Sequence, residues 1–284
     1  MTARELLEDA ARLAGNIGSD ATAWDARILL AHVLRHSNPL AISPRAELNA
    51  PTATRFGELW AQRLSGTPVQ HLIGEWDFYG RTFHVDDRAL IPRPETEVVI
   101  SAALREAPDA RRILDAGTGC GIIAITWLLE KPASRGIALD VSLEALALAR
   151  ENTRRHHLLS RMEIVASDWF SAVEGPPFDL IMANPPYLTL SGAADLSATV
   201  REHEPERALF SGEDGLAAIR HLLNEIPRHL AAGAPFLFEF GYGQDELVKQ
   251  EIRRRPEWVF VSVEPDLAGI PRVAVARRRG GANA

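Results

Sequence analysis

The chain has 284 residues, of which 46% are hydrophobic and 24% charged, and its formal net charge is −7. That is the balance of a globular protein with room for one large domain or two unequal ones, and its acidity argues against generic affinity for a phosphate backbone. A single cysteine, Cys120, excludes an intrachain disulfide and a multi-cysteine zinc site and fits a reducing cytoplasm.

No apolar run reaches membrane-spanning length, and residues 1–20 alternate charge and apolarity, so neither an anchor nor a signal peptide is expected. The first seventy residues read as helices. Leu6, Leu7, Ala10, Leu13 and Ala14 recur at helical spacing. A second stripe runs from Trp24 to Leu34 with Ser19 or Asp20 as its cap, and a third, with Phe56, Leu59, Trp60 and Leu64, follows Pro51 and ends at Gly66. These stripes predict the core of a small bundle, whose outer surface is available to a partner. From Glu75 to Asp87, aromatics alternate around Gly80 as in a β-hairpin. The prolines of Ile91–Glu97 then enforce extended backbone, and its acidic residues suit the first turn of a helix.

Beyond residue 111 the pattern alternates strand and helix. β-like runs occur at Arg112–Asp115, Gly136–Asp140, Met162–Ala166, Phe178–Ala183, Pro235–Phe240, Trp258–Val263 and Arg272–Ala276. Helical stretches lie at about 121–131, 142–158, 213–232 and 244–255. Alternation predicts an α/β fold with a mostly parallel sheet covered on both faces, and the last two runs predict an antiparallel hairpin at one edge. The charged segment Leu188–Gly215 is expected to lie over the active site, and the tail Arg277–Ala284 to fray.

Gly117-Thr118-Gly119-Cys120-Gly121 sits between an apolar strand and an apolar helix, where glycines let the backbone turn sharply and approach a ligand closely. Asp140 ends the next strand about twenty residues on, placed to accept ribose hydroxyls or to cap the helix near Ser142. After the third strand, Asp168 is a candidate acceptor for an adenine amino group and Trp169 a candidate cover for its face, or simply core. All three lie at carboxyl ends of strands, where open α/β sheets bind ligands. They leave two choices, a nicotinamide dinucleotide or S-adenosylmethionine.

The fourth strand decides between them, because it ends in Asn184-Pro185-Pro186-Tyr187. Consecutive prolines leave the last carbonyls of a buried strand without strand partners. The tetrapeptide resembles the signature of class I methyltransferases that modify planar amino groups of adenine, cytosine or glutamine. An amide nitrogen is a poor nucleophile, so two acceptors, the Asn184 side-chain oxygen and the Pro185 carbonyl, suit the task of aiming it at a sulfonium methyl. Tyr187 is placed to stack on the flat amide. No metal-ligand cluster is apparent.

Gln70–Gly74, the aromatic hairpin, Leu90–Glu97, Ser167–Phe170, Asn184–Tyr187 and Glu239-Phe240-Gly241-Tyr242-Gly243-Gln244 occur in that order. Together they closely resemble the release factor glutamine methyltransferase family over nearly the whole chain. The resemblance implies a class I methyltransferase fold, a Rossmann-like seven-stranded sheet, using S-adenosylmethionine and leaving S-adenosylhomocysteine. It implies as partner a peptide chain release factor, methylated on the glutamine of its Gly-Gly-Gln motif. Gly117 to Gly121, Asp140, Trp169 and Asn184 carry over as cofactor contacts, and Asn184, Pro185, Pro186 and Tyr187 as the glutamine site; Asp168 is added on physical grounds. Ala116 and Cys120 depart from the Leu and Ser or Thr frequent in relatives.

The expected organisation is a helical substrate-recognition domain over 1–74, a hairpin linker over 75–92 and a methyltransferase domain over 93–284. Three alternatives stand beside this reading: a DNA or RNA adenine-N6 methyltransferase, a ribosomal-protein glutamine methyltransferase and a non-catalytic binding module. The first should add a target-recognition domain and a basic groove, which the charge and length do not suggest. The second typically lacks the full Arg93–Glu97 run.

Overall fold

Two threonines open the chain's first helices with reciprocal caps. Thr2 precedes α1 (Ala3–Ile17) and Thr22 precedes α2 (Ala23–Val33); each hydroxyl accepts from the backbone N–H three residues on, and that residue's carboxylate accepts from the threonine N–H. The cap of α2 is therefore Thr22 and not Ser19 or Asp20, because only Thr22 has an acidic residue, Asp25, three positions later. Asp20 instead accepts from the buried Arg63 guanidinium at 2.9 Å and from the Thr199 hydroxyl at 2.7 Å. α3 (Ala50–Leu64) starts on Asn49, and α4 (Val69–Ile73) stops at Gly74, whose φ is 77°. Leu29, Leu30, Phe56, Leu59 and Trp60 close the bundle core.

The structure, a computed structural model, describes residues 1–192 and 198–280. These form two compact units, residues 1–76 with 198–204, and residues 77–192 with 205–280. The chain crosses from one to the other in a hairpin of β1 (Glu75–Phe78) and β2 (Arg81–His84). Tyr79 and Gly80, with φ of 51° and 70°, supply the two positive dihedrals of a two-residue turn.

The second unit continues with α5 (Glu97–Glu106), β3 (Arg112–Ala116), α6 (Ile122–Glu130), β4 (Arg135–Asp140), α7 (Leu143–Arg155), β5 (Met162–Ala166) and β6 (Leu180–Ala183). α8 (Ala198–His203) belongs with the first unit. Then follow α9 (Ala217–Glu225), β7 (Pro235–Glu239), α10 (Asp245–Arg253), β8 (Trp258–Pro265) and β9 (Pro271–Arg278). The sheet order is β5-β4-β3-β6-β7-β9-β8, parallel except for β9, which runs against both neighbours. The expected α/β sheet and its antiparallel edge are both present. Alternation along β6 sends Leu180 and Met182 into one core cluster and Ile181 and Ala183 into the other, so this strand is buried on both faces and reads as continuously apolar. The chain steps from β3 outward to β4 and β5, then returns to β6 on the other side of β3. Ligands of open α/β sheets bind in the crevice that such a reversal leaves at the carboxyl ends of the strands.

Several boundaries differ from expectation for local reasons. Phe178 makes only a bridge to Leu230, and Asp179 turns its carboxylate to the N–H groups of Arg111 and Arg112, both at 2.9 Å, so β6 begins at Leu180. The helix expected over 213–232 shrinks to α9 and a 3-10 turn at Ile226–Arg228, because Gly215 has a φ of 75° and Pro227 lacks an N–H donor. β9 holds order through Arg278, past the expected start of the frayed tail; residues 281–284 lie outside the described residues. Residues 193–197 of the Leu188–Gly215 segment also lie outside them, but on either side Leu188 bridges Phe210 and Glu206–Ala208 forms a 3-10 turn.

Candidate active site

A cavity opens at the carboxyl ends of β3, β4, β5 and β6, lined among others by Gly117, Thr118, Gly119, Cys120, Asp140, Asp168, Trp169, Asn184 and Pro186. Its floor is the glycine turn. Gly117, Gly119 and Gly121 all have positive φ (73°, 55° and 90°), and the Gly117 and Thr118 N–H groups both donate to the Leu139 carbonyl. A Cβ on Gly117 would meet no protein atom within 4 Å, so the space it would enter is cavity. On Gly121 it would meet Ile125 Cδ1 at 3.0 Å and Ala149 Cβ at 3.4 Å, so that glycine serves the close approach of α6 and α7. The buried Cys120 carbonyl accepts from Asn152 Nδ2, and burial pushes its thiol up to about 12, so it is a small inert filler.

Asp140 holds the turn as well as facing the cavity. One of its oxygens accepts from the Gly119 N–H and the other from the Ser142 N–H, each at 2.9 Å. The cap of α7 is Ser142, which accepts from the Ala145 N–H, so Asp140 stands one step outside that role. Each carboxylate oxygen keeps a further lone pair for a ligand. Beside it, Val141 is 54% exposed yet lines the cavity, an apolar surface that the sequence pattern does not flag. Across from it Trp169 has a φ of 50°, an uncommon conformation for a bulky residue, fixed by the Ser167 hydroxyl donating to its carbonyl at 2.6 Å. Asp168 is exposed at the rim.

Asp115, beneath the turn, was not singled out by its position in the strand. Its Oδ2 accepts from the Thr118 hydroxyl at 2.6 Å and the Ala124 N–H at 3.2 Å, while Oδ1 has no partner among the described residues. Burial, reinforced by the nearby Asp140 charge, pushes the carboxyl from 3.8 up to about 7 against these two donors. A raised folded-state value means that folding takes up a proton, so stability is greatest below the unfolded value and declines as pH rises from about 4 through 7. Asp115→Asn is expected to flatten that decline. Thermal melts across the window check it, and identical pH slopes in both proteins count against it.

On the β6 side, Asn184 Nδ2 donates to Thr96 Oγ1 at 3.1 Å, and Thr96 in turn donates to Glu239 Oε2 at 2.6 Å. The Tyr187 hydroxyl donates to Glu239 Oε1 at 3.0 Å. Thr96 and Glu239 are fully buried, and burial pushes the Glu239 carboxyl up. Pro185 and Tyr187 do not line the cavity; Tyr187 is turned inward to Glu239, where burial first and then that carboxylate push its phenol up. Thr96, Glu239 and the cavity-lining Arg93, Arg207 and Ala208 are residues the motifs did not assign.

The backbone after Asn184 is held from outside. Gln244 Nε2 donates to the Tyr187 carbonyl at 2.9 Å, and its Oε1 accepts from the Gly241 N–H at 2.8 Å. Gly215 passes so close that a Cβ there would lie 2.2 Å from the Tyr187 carbonyl oxygen, and its φ is 75°. Gly215→Ala is therefore expected to cost at least about 1–2 kcal/mol from the backbone conformation alone, with further loss as Tyr187 is displaced. A denaturation midpoint equal to that of the parent would contradict this.

The "Methyltransferase small domain" family matches residues 95–209, and the "PrmC N-terminal domain" family matches residues 5–74. A Cereibacter sphaeroides protein named release factor glutamine methyltransferase is 43% identical over 98% of this chain and 99% of its own length. The chain belongs to the release factor glutamine methyltransferase family. A second member, from Koribacter versatilis, is 42% identical over 83% of both chains. The fold extends beyond the family: the hMettl16 catalytic domain, solved in complex with the MAT2A 3'UTR hairpin 1, aligns with a TM-score of 0.58 at 16% identity, covering 89% of this chain and 91% of that one. In this chain the PrmC N-terminal match precedes the methyltransferase match in sequence. No helix among the described residues is long and apolar enough to cross a membrane.

Proposed function

We propose that this chain transfers a methyl group from S-adenosylmethionine to the side-chain amide nitrogen of the glutamine in the Gly-Gly-Gln motif of peptide chain release factors. The observation that carries the reading is the Asn184 side chain at the end of β6, tied back through Nδ2 and leaving its oxygen as an acceptor beside the glycine turn, in a chain of this family. The cavity fits the cofactor: open space above Gly117, a carboxylate with spare lone pairs at Asp140, and apolar faces at Val141 and Trp169. In this reading Gly117, Thr118, Gly119, Cys120 and Gly121 cradle the amino-acid end, Asp140 accepts the ribose hydroxyls, and Val141, Asp168 and Trp169 hold the adenine.

When bound, S-adenosylmethionine supplies a methyl group on a sulfonium, with a neutral thioether as the leaving group. The residues of this chain do the rest. Asn184 Oδ1 and the Pro185 carbonyl accept the two amide N–H groups and turn the nitrogen toward the methyl. As positive charge grows on nitrogen those two hydrogen bonds strengthen, so they stabilise the transition state more than the ground state, and once the N–C bond has formed the nitrogen releases one of its two protons to solvent water. Pro186 stiffens the turn that presents both acceptors, and Tyr187 anchors it from beneath. The helical unit over 1–74 is the surface we assign to recognition of the release factor.

Mass spectrometry of a purified release factor, after incubation with enzyme and S-adenosylmethionine, should show one methyl increment on the peptide containing Gly-Gly-Gln. No increment there, with transfer to duplex DNA or a ribosomal protein instead, would sink the proposal.

A further inference from the structure

The amide of asparagine is nearly symmetric in shape, and nothing in its own bonding decides which end faces a ligand. A reversed Asn184 would present N–H groups to the N–H groups of a substrate amide and repel it. The orientation must be enforced from behind.

We infer that Glu239, acting through Thr96, is the positioning residue that holds Asn184 with its oxygen toward the substrate; this rests on the glutamine-methyltransferase reading above. Glu239 lies at the end of β7 and Thr96 immediately ahead of α5, so neither is near Asn184 in sequence. An ionised carboxylate can only accept. Both hydroxyls that reach Glu239, Thr96 at 2.6 Å and Tyr187 at 3.0 Å, must then donate to it. Thr96 has one hydroxyl proton, and Glu239 takes it. What remains on Thr96 Oγ1 is lone pairs, which accept only from Nδ2 of Asn184, at 3.1 Å. Polarity thus passes from carboxylate to hydroxyl to amide, one direction at each link.

The ionised state is contested, which is why the arrangement is informative. Burial pushes the Glu239 carboxyl up and Glu95 adds to that, whereas the Thr96 and Tyr187 hydroxyls and Arg272 pull it down. Neutral Glu239 would be able to donate to Thr96. The Thr96 proton would then be free to turn to Asn184 and stabilise the reversed amide.

The test uses the full chain and purified release factor. Glu239→Gln imitates the neutral carboxyl at constant shape, Thr96→Val removes the hydroxyl at nearly constant volume, and Thr96→Ser keeps it. The expected result is a single-turnover rate at saturating substrates reduced about tenfold or more in Glu239→Gln and Thr96→Val. Thr96→Ser should stay within about threefold of the parent, and saturating cofactor keeps any change in its binding out of the measured rate. The pair separates a hydroxyl relay from packing, because a packing role would impair Thr96→Ser, which loses the methyl, and spare Thr96→Val, which keeps it, the reverse of what the relay requires. Parent-like turnover in Thr96→Val, or equal impairment of Val and Ser, overturns the relay even if Glu239→Gln fails to fold. A parent enzyme that does not methylate the release factor overturns the functional reading itself, a separate outcome.

Discussion

Asn184→Ala is expected to lower the single-turnover rate of methyl transfer by about 100- to 1000-fold, the usual consequence of removing one preorganised acceptor from a developing charge. The fold should survive, because the side chain is only partly buried and the prolines that shape the backbone remain. Thr96 and Tyr187 also keep their bonds to Glu239, so no buried carboxylate is stranded. Asn184 also faces the cofactor cavity, so the measurement belongs at saturating S-adenosylmethionine and release factor, where weakened binding no longer contributes. A near-parental rate under those conditions removes Asn184 from the chemistry and with it the central mechanistic claim.

The second large effect belongs to Asp140. Asp140→Ala deletes the proposed ribose acceptor, and loss of hydrogen bonds to a charged acceptor costs on the order of 1.5–3 kcal/mol, roughly ten- to a hundredfold in S-adenosylmethionine affinity. The structure adds a second reason for a large effect. The same carboxylate holds the N–H groups of Gly119 and Ser142, so alanine also loosens the turn that cradles the ligand. Asp140→Asn has one acceptor oxygen and can keep only one of those bonds, so it should fall between the two. Calorimetry reads both variants, and unchanged affinity in folded Asp140→Ala would exclude the carboxylate from the site.

Those two residues were legible because the site lies where strands end. Gly117–Gly121 and Asn184–Tyr187 are each consecutive in sequence, since a strand delivers its last residues and the following turn to one place. Strand and helix alternation was legible for a related reason: β6 is buried on both faces and reads as an unbroken apolar run, and β3 is apolar at Ile113, Leu114 and Ala116. Thr96 and Glu239 lie in runs singled out for their resemblance, but their contact with each other was not legible. They are 143 residues apart, and their conjunction exists only once the turn before α5 meets the end of β7. Tyr187 was expected to stack on the amide, and the bond from its hydroxyl to the buried Glu239 carboxylate was not legible in the tetrapeptide. Helix ends were misplaced where two signals competed, as at Ser19, Asp20 and Thr22, and the reciprocal Thr22–Asp25 pair decided the cap.

The order of the strands carries a consequence for how the molecule is made. β9 follows β8 in the chain, yet it lies between β7 and β8 in the sheet. A ribosome builds the chain from its amino end at roughly 5–20 residues per second, and β9 starts 32 residues after β7 ends (271 − 239), a delay of roughly 2–6 s. Throughout that interval β7 presents an open edge, with Phe236 and Phe238 on it, and β8 has no neighbour to join. Exposed apolar edges of this kind are where nascent chains pair wrongly, so the interval is when this polypeptide most needs shielding. Glu239 stands opposite Val273 in the finished ladder, and its burial is completed by the strand made last. A growing chain therefore already contains its glycine turn and Asn184 while the closed sheet that seats Glu239 is still to be made.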